Sequence, residues 1–288
     1  MSQEISASLR ARVALERIGF APTHSLGQNF ILDEALIGDI ARLSGVQEGC
    51  CVLEVGPGTG LLTRALAMRG AKVLAVELDT GLQSVLQAVL EGVPNASVVY
   101  GDVMRLDLPK LLKEHFGLAP FHVVSNLPYY ITADFVLKLL TAETEPESMT
   151  LMVQSEAADR LLARPGDGSW CALAAICMFC CERERLLDVP RDAFTPPPHV
   201  DSALIRFEKR ASREVDEADK ADFIALIKSA FAMRRKTLVN NLSAARGLDK
   251  ARAAALLESV GLDARVRGEE LSISQLADVF ETLKKGAL

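Results

Sequence analysis

Apolar positions in the first two-thirds of the chain fall into short unbroken runs that alternate with stretches of helical spacing. Residues 5–20 read as a short amphipathic helix carrying Arg10, Arg12 and Arg17. A polar loop, Ser25-Leu26-Gly27-Gln28-Asn29-Phe30, then leads into a helical pattern at Leu36, Ile37, Ile40 and Leu43. Past Gly45 and Gly49, the run Cys51–Val55 reads as a buried parallel strand, because a strand covered on both faces needs no polar alternation. The spacing goes on to predict helices over Leu61–Met68, Leu82–Leu90, Leu108–Phe116 and Ala133–Leu140. Between and after them it predicts strands over Lys72–Val76, Ala96–Tyr100, His122–Ser125 and Met149–Val153. Helical stretches Glu156–Ala163 and Trp170–Cys181 surround the turn Pro165-Gly166-Asp167-Gly168. Two late strands, Leu186–Val189 and Ser202–Phe207, flank Thr195-Pro196-Pro197-Pro198 and form a terminal hairpin. This alternation predicts an α/β fold built on a doubly wound, mostly parallel, seven-stranded sheet.

Beyond about residue 212 the strand signals stop. Phe223, Leu226, Ile227, Ala230 and Phe231 keep helical spacing, as do Ala253–Leu257 and Ile273–Leu283. The expected division is a doubly wound domain over residues 1–211 and a small all-helical domain over 212–288, entered through the charged run Ser212–Lys220.

Composition adds limits. Of 288 residues, 49% are hydrophobic, enough for a large core. No apolar run approaches the roughly 18–20 residues of a membrane span. The first residues lack the apolar stretch of a signal peptide, and Glu4 and Glu16 argue against an acid-poor transit peptide, so a cytoplasmic protein without a membrane partner is expected. The net charge of −6 argues against a nucleic-acid partner only if it is evenly spread. It is not: acid gathers in Glu143–Glu147 and Glu214–Asp222, while Phe231–Gly247 holds Arg234, Arg235, Lys236 and Arg246 with no acid at all. Among six cysteines, Cys177-Met178-Phe179-Cys180 has C-x-x-C spacing. No second such pair or histidine follows nearby and its surroundings are apolar, so buried free thiols are expected in place of a metal site or a redox pair.

The chemistry begins at Glu54-Val55-Gly56-Pro57-Gly58-Thr59-Gly60, where a strand ends in glycines and a helix opens. The spacing is G-x-G-x-G, and an acid stands before the first glycine, where a pyrophosphate would be repelled. Glu77 closes the next strand, where a carboxylate takes both hydroxyls of a ribose, and Asp102 follows the third, within reach of an adenine amino group. Three acids at consecutive strand ends around a glycine loop describe S-adenosylmethionine better than a nicotinamide dinucleotide. A second constellation is Asn126-Leu127-Pro128-Tyr129. Proline fixes its own φ and drives Leu127 out of the helical region, so an apolar strand ends here in a stiff elbow. Its carbonyls and the Asn126 amide suit the exocyclic amine of a base, and Tyr129 offers a ring to stack on it.

Together with Leu26–Phe30, Glu54–Gly60, Gly101-Asp102 and Asn126–Tyr129, further strings carry a resemblance. They are Met152–Glu156 with Arg160, Ala193–Ser202 and Arg234–Leu238. With these motifs the chain, over about Ser25–Leu242, resembles the KsgA-type small-subunit ribosomal RNA adenine dimethyltransferases. The resemblance implies a Rossmann-like methyltransferase domain and a helical RNA-recognition domain. The implied reaction is transfer of methyl groups from S-adenosylmethionine to N6 of two adjacent adenines near the 3′ end of small-subunit RNA. It further implies that Asn29, the Ile31 backbone, Gly56, Gly58, Glu77, Asp102 and Asn126 hold the cofactor. Asn126, Leu127, Pro128 and Tyr129 hold the base, with Phe194 stacked opposite Tyr129, and Arg234, Arg235 and Lys236 contact RNA. The implied partners are small-subunit RNA and a pre-ribosomal particle, met by a monomer. Two departures are Trp170–Ala174, where the family has a Tyr-Gly-Arg-Leu-Ser-like helix start, and Tyr130, where asparagine is frequent. The alternatives are a resistance-type methyltransferase acting on one large-subunit adenine, and an assembly factor for which methylation is secondary.

Overall fold

The protein is described by a computed structural model covering residues 6–20 and 27–286. Ser25 and Leu26 of the glycine-bearing loop, and residues 1–5 before the first helix, lie outside the described residues. The chain runs α1 (Ala7–Arg17), β1 (Phe30–Ile31), α2 (Glu34–Leu43), β2 (Cys51–Val55), α3 (Leu61–Met68), β3 (Lys72–Glu77) and α4 (Gln83–Val89). It continues with β4 (Ala96–Tyr100), α5 (Leu108–Phe116), β5 (Phe121–Asn126), α6 (Thr132–Leu140), β6 (Ser148–Gln154), α7 (Ser155–Leu162) and α8 (Ala172–Cys180). Then come β7 (Cys181–Val189), β8 (Phe194–Thr195), β9 (Ser202–Lys209), α9 (Lys220–Ala230), α10 (Leu238–Arg246), α11 (Lys250–Ser259) and α12 (Ile273–Lys284).

The sheet has seven strands in the order β4-β3-β2-β5-β6-β9-β7. Its β4-β3-β2-β5-β6 part is parallel, and β9 joins β6 antiparallel, as a doubly wound sheet with a late hairpin requires. Central strands are apolar because both faces are covered: all five residues of β2 are buried, as are five of the six in β3. Strand order reverses beside β2, so β2 and β5 frame the switch point at which such sheets open a crevice.

The ladder between β2 and β5 is paired only at Cys51–Phe121, Val52–His122 and Leu53–Val123. Beyond it the strands part, and one side chain spans the gap: the Ser125 hydroxyl accepts from the Val55 N–H at 3.2 Å and donates to the Val55 carbonyl. The buried backbone of β2 thus stays hydrogen-bonded while its end swings free of β5.

A small second sheet was not foreseen. In it β1 pairs antiparallel with β8, Phe30 opposite Thr195 and Ile31 opposite Phe194. Two residues a strand is too short to leave a periodicity.

The chain forms two compact units, Met1–Ala158 with Glu184–Glu208, and Asp159–Arg183 with Lys209–Leu288. The expected boundary after residue 211 falls near the second crossing, but residues 159–183, expected in the first domain, cluster with the C-terminal helices. The reason is visible in α8, which is apolar on every side and buries Ala174, Ala175, Ile176, Cys177, Phe179 and Cys180. Phe179 meets Phe223 of α9 edge-on at 4.8 Å, and Phe223 meets Phe280 of α12 at 5.5 Å. Burial drives the Cys177 thiol well above its ordinary value, so the C-x-x-C segment serves as packing. Arg183 completes this unit from within, donating to the carbonyls of Leu161, Ala163 and Ala174 at 3.0–3.2 Å.

Gly268 is the tightest point of this helical unit. A Cβ there would sit 2.1 Å from the Ala230 carbonyl oxygen and 2.6 Å from its carbon, and backbone has no rotamer to move aside. We therefore expect Gly268→Ala to destabilise the unit by about 3 kcal/mol. Trp170, the only tryptophan of the chain and buried in the same unit, reports the unfolding by fluorescence in urea; an unshifted midpoint would contradict this packing.

Candidate active site

At the carboxyl ends of β2, β3 and β5, and along the loop after β4, side chains and backbone line one cavity. Its floor is the glycine loop. Gly56 and Gly58 both have positive φ, 68° and 56°, a conformation that L side chains rarely adopt. Space is tight there as well: a Cβ on Gly58 would lie 3.0 Å from the Phe30 ring. A Cβ on Gly56 would lie 3.2 Å from Cδ of Pro128. The glycine loop and the proline elbow, far apart in sequence, thus face each other beside the gap that Ser125 spans, with the Pro128 ring where a side chain on Gly56 would point.

Glu54, Glu77 and Asp102 all line this cavity. Glu77 is 5% exposed; its Oε2 accepts from the Gly58 N–H at 3.1 Å and its Oε1 from the Asp79 N–H at 2.8 Å. Burial raises its pKa, and these amides oppose the rise. The Leu78 amide opposes it as well, and a carboxylate with about four lone-pair sites keeps acceptor capacity beyond these three. Asp102 is partly open; its Oδ1 accepts from the Met104 N–H at 2.9 Å and its Oδ2 lies 3.3 Å from Arg105 Nε. Lys138 on α6 holds the same loop by donating to the carbonyls of Val103 and Met104 at 2.9 and 3.0 Å.

Glu54 is the anomaly. It is 1% exposed, and its Oε2 has no hydrogen-bond partner among the described residues. Burial pushes its carboxyl up to about 8; the nearby Thr63 hydroxyl works against this and the Glu77 carboxylate adds to it. A buried acid with an unpartnered oxygen, beside glycines with positive φ, is a group that a ligand carrying donors would satisfy.

The elbow forms the opposite wall, with Asn126, Leu127, Pro128 and Tyr129 all on the cavity. Asn126 Nδ2 donates to the Asn29 carbonyl at 3.2 Å, so the oxygen end of its amide is the free end. The Pro128 carbonyl accepts from the Ile131 N–H at 3.2 Å, leaving Leu127 as the carbonyl outside that turn. Tyr129 is half-buried, its Oη 2.8 Å from Ser202 Oγ. Asn29 and Ile31 close the cavity from the N-terminal side, and Tyr130, 55% exposed, forms its outer wall.

Phe194 does not join them, contrary to its expected place opposite Tyr129. It is 2% exposed and absent from the lining, because β8 pairs with β1 and turns the ring into the core. Arg234, Arg235 and Lys236 are all exposed, on a turn between α9 and α10 and not on a helix face; Arg234 Nε lies 3.1 Å from Glu269 Oε2. Sequence reasoning missed Ser125, whose only signal is a hydroxyl inside an apolar strand, and Ser202, which lay inside a quoted motif without a role.

A doubly wound sheet with a glycine loop, strand-end acids and a proline elbow around one cavity defines a Rossmann-like methyltransferase. The family model described as ribosomal RNA adenine dimethylase matches residues 20–285, and the chain belongs to that family. Its members are methyltransferases that use S-adenosylmethionine. The chain is 37% identical over 289 residues to a ribosomal RNA small subunit methyltransferase A of Geobacillus sp. strain WCH70, covering 99% of each chain. It is 36% identical to the protein of the same name from Bacillus licheniformis, again over 99% of each. Among solved structures, a dimethyladenosine transferase from Plasmodium falciparum shares the fold, with TM-score 0.73 and 24% identity over 88% of this chain and 97% of that one. The 23S rRNA methyltransferase ErmE is similar at 31% identity and TM-score 0.67, over 89% and 100%.

The buried acid gives a pH dependence. Unfolded, Glu54 titrates near 4.5; folded, near 8. Between these values the unfolded chain has lost a proton that the folded one keeps, so stability falls as pH rises through the window and levels off above it. Glu77, also raised, contributes in the same direction. We expect Glu54→Gln to flatten the decline and to exceed the parent by a few kcal/mol near pH 9. Urea unfolding of ligand-free protein at a series of pH values measures it; parallel curves for the two proteins would contradict it.

Proposed function

We propose that this chain transfers methyl groups from S-adenosylmethionine to N6 of two adjacent adenines near the 3′ end of small-subunit ribosomal RNA. In this reading it acts as a cytoplasmic monomer on a pre-ribosomal particle. The observation that carries it is that the glycine loop and the Asn126–Tyr129 elbow line one cavity, with the Pro128 ring close over Gly56; this supports a base-gripping elbow facing a cofactor floor.

S-adenosylmethionine, once bound, supplies an electrophilic methyl on a sulfonium. Gly56 and Gly58 let its methionine end approach the backbone, and Glu77 has lone pairs to offer the ribose hydroxyls. Asp102 accepts from the adenine amino group, while Asn29 and the Ile31 backbone cover it. Glu54 faces the positive end of the ligand, whose charge favours the ionised carboxylate that the empty cavity disfavours.

The target base must leave its stack, at a cost of a few kcal/mol, and stacking on Tyr129 returns about 1–3 kcal/mol. Asn126 Oδ1 and the Leu127 carbonyl accept the two amino hydrogens. This makes the nitrogen more pyramidal and points its lone pair toward the glycine floor. In-line positioning then supplies most of the rate. No strong base is needed, because the methylated nitrogen carries a positive charge and loses its proton to water.

We expect Asn126→Ala to lower methyl transfer at least a hundredfold while S-adenosylmethionine still binds. Mass spectrometry of both subunit RNAs after incubation with labelled cofactor reads the activity; undiminished transfer would refute the assignment, and label confined to large-subunit RNA would move the substrate there. The exposed Arg235 and Lys236 supply phosphate contacts in this reading, with Arg234 released from Glu269. Reversing the charge at Arg235 and Lys236 should weaken RNA binding and reduce its salt slope by about two. Affinity and slope measured over a range of salt concentrations check this, and no change in either would remove the turn from the interface.

A further inference from the structure

We propose that Ser202 is a positioning residue for methyl transfer, fixing the plane in which the Tyr129 ring is offered to the target base. This rests on the reading of Tyr129 as the stacking platform and adds the group that aims it.

Tyr129 leaves the elbow directly after Pro128, whose φ is −56°, and begins a short 3₁₀ turn. The backbone end of the side chain is therefore held by a ring and a turn. The far end is held by Ser202, whose Oγ lies 2.8 Å from the phenolic oxygen; either hydroxyl can donate. Pinning Cβ and Oη fixes the long axis of the ring, so that only rotation about that axis remains. A tyrosine tethered at one end swings on χ1 as well as χ2. Tethered at both, it presents a flat face in one place.

Ser202 is suited to the task by its surroundings. It is fully buried, at the start of β9 and opposite Gln154 in the ladder with β6, so it does not drift. The residue before it adds a second anchor: Asp201 Oδ1 accepts from the Arg191 N–H at 2.9 Å, and the Asp201 carbonyl accepts from the Ser155 N–H at 3.0 Å. At the other end of the same loop, Phe194 and Thr195 pair with Ile31 and Phe30. The proline-rich segment thus braces two walls of the cavity, the N-terminal flap through β8 and the stacking ring through Ser202. Burial raises the Tyr129 pKa and the Ser202 hydrogen bond opposes this, as a specific contact to the phenol should.

A bare structural role, satisfying a half-buried hydroxyl, makes different predictions. The test uses full-length protein, small-subunit RNA with 2-aminopurine at the first target position, and four variants: Ser202→Ala, Tyr129→Phe, their double, and Tyr129→Ala. Stacking on Tyr129 quenches the probe. Expected for Ser202→Ala are unchanged S-adenosylmethionine affinity and melting temperature, weaker quenching, and kcat on unmodified RNA lower by roughly tenfold to a hundredfold. Tyr129→Phe should match it, and the double variant should be no worse than either. Wild-type quenching and kcat in Ser202→Ala, with Tyr129→Ala inactive, overturns the proposal and leaves the stacking reading standing. Additive losses in the double variant also overturn it, since Ser202 would then act elsewhere than through the phenol. Full activity in Tyr129→Ala removes the stacking reading itself. If Ser202→Ala proves unstable, Tyr129→Phe alone decides: wild-type quenching in it overturns the proposal.

Discussion

The site depends on two strands that stop pairing before they end. Had β5 stayed in register with β2 beyond Leu53 and Val123, the glycine loop and the elbow would have left the sheet side by side with no room between them. Parting the strands normally strands backbone groups in a dry interior, at a cost of about 1–3 kcal/mol each. Ser125 removes that cost with one hydroxyl, which serves both the N–H and the C=O of Val55. Opening and stability are thereby reconciled by the smallest polar side chain that fits within an apolar strand.

The other walls follow from this opening. Because the elbow can lean over the floor, the Pro128 ring lies close over Gly56, where a positive φ and little space both favour glycine. Because the end of β2 stays paired with β3, through Val55 opposite Val76 and the Gly56 N–H donating to the Val76 carbonyl, Gly58 can donate to Glu77 and orient its carboxylate. Asn126 is oriented by the Asn29 carbonyl in the same way. Glu77 and Asn126 are thus each aimed by a backbone group from a different segment, which is how single hydrogen bonds give a site directional accuracy.

Much of this was legible because parallel strands and their glycines leave strong local patterns. The seven strands, the fold class and the residues Glu54, Gly56, Glu77, Asp102 and Asn126–Tyr129 announce themselves by run length, by glycine spacing and by acids at strand ends. What escaped was what local pattern cannot encode. The pairing of β1 with β8 joins two dipeptides more than 160 residues apart, and it places Phe194, expected opposite Tyr129, in the core. Residues 159–183 look like a continuation of the sheet domain until the all-apolar α8 is seen to need partners on every side, which α9 and α12 supply. The basic run Arg234–Lys236 was visible, but its turn conformation and the pairing of Arg234 with Glu269 were not.

The charges of the two walls explain how an acidic protein can serve an RNA substrate. The floor has Glu54 and Glu77, both buried; burial pushes Glu54 up to about 8 and raises Glu77, and a bound cation favours the ionised form of each. The elbow has no charge, only an amide oxygen, a carbonyl and an aromatic face. An acid there would hold a proton or repel the phosphates flanking an extruded base, and a basic side chain would repel the sulfonium. Neutral acceptors avoid both penalties and still select an amino group by its two hydrogens. Some of the acid of the chain therefore lies where a cofactor cation compensates it, some is exposed, as at Glu143 and Glu147, and the surfaces that meet RNA need only be basic locally.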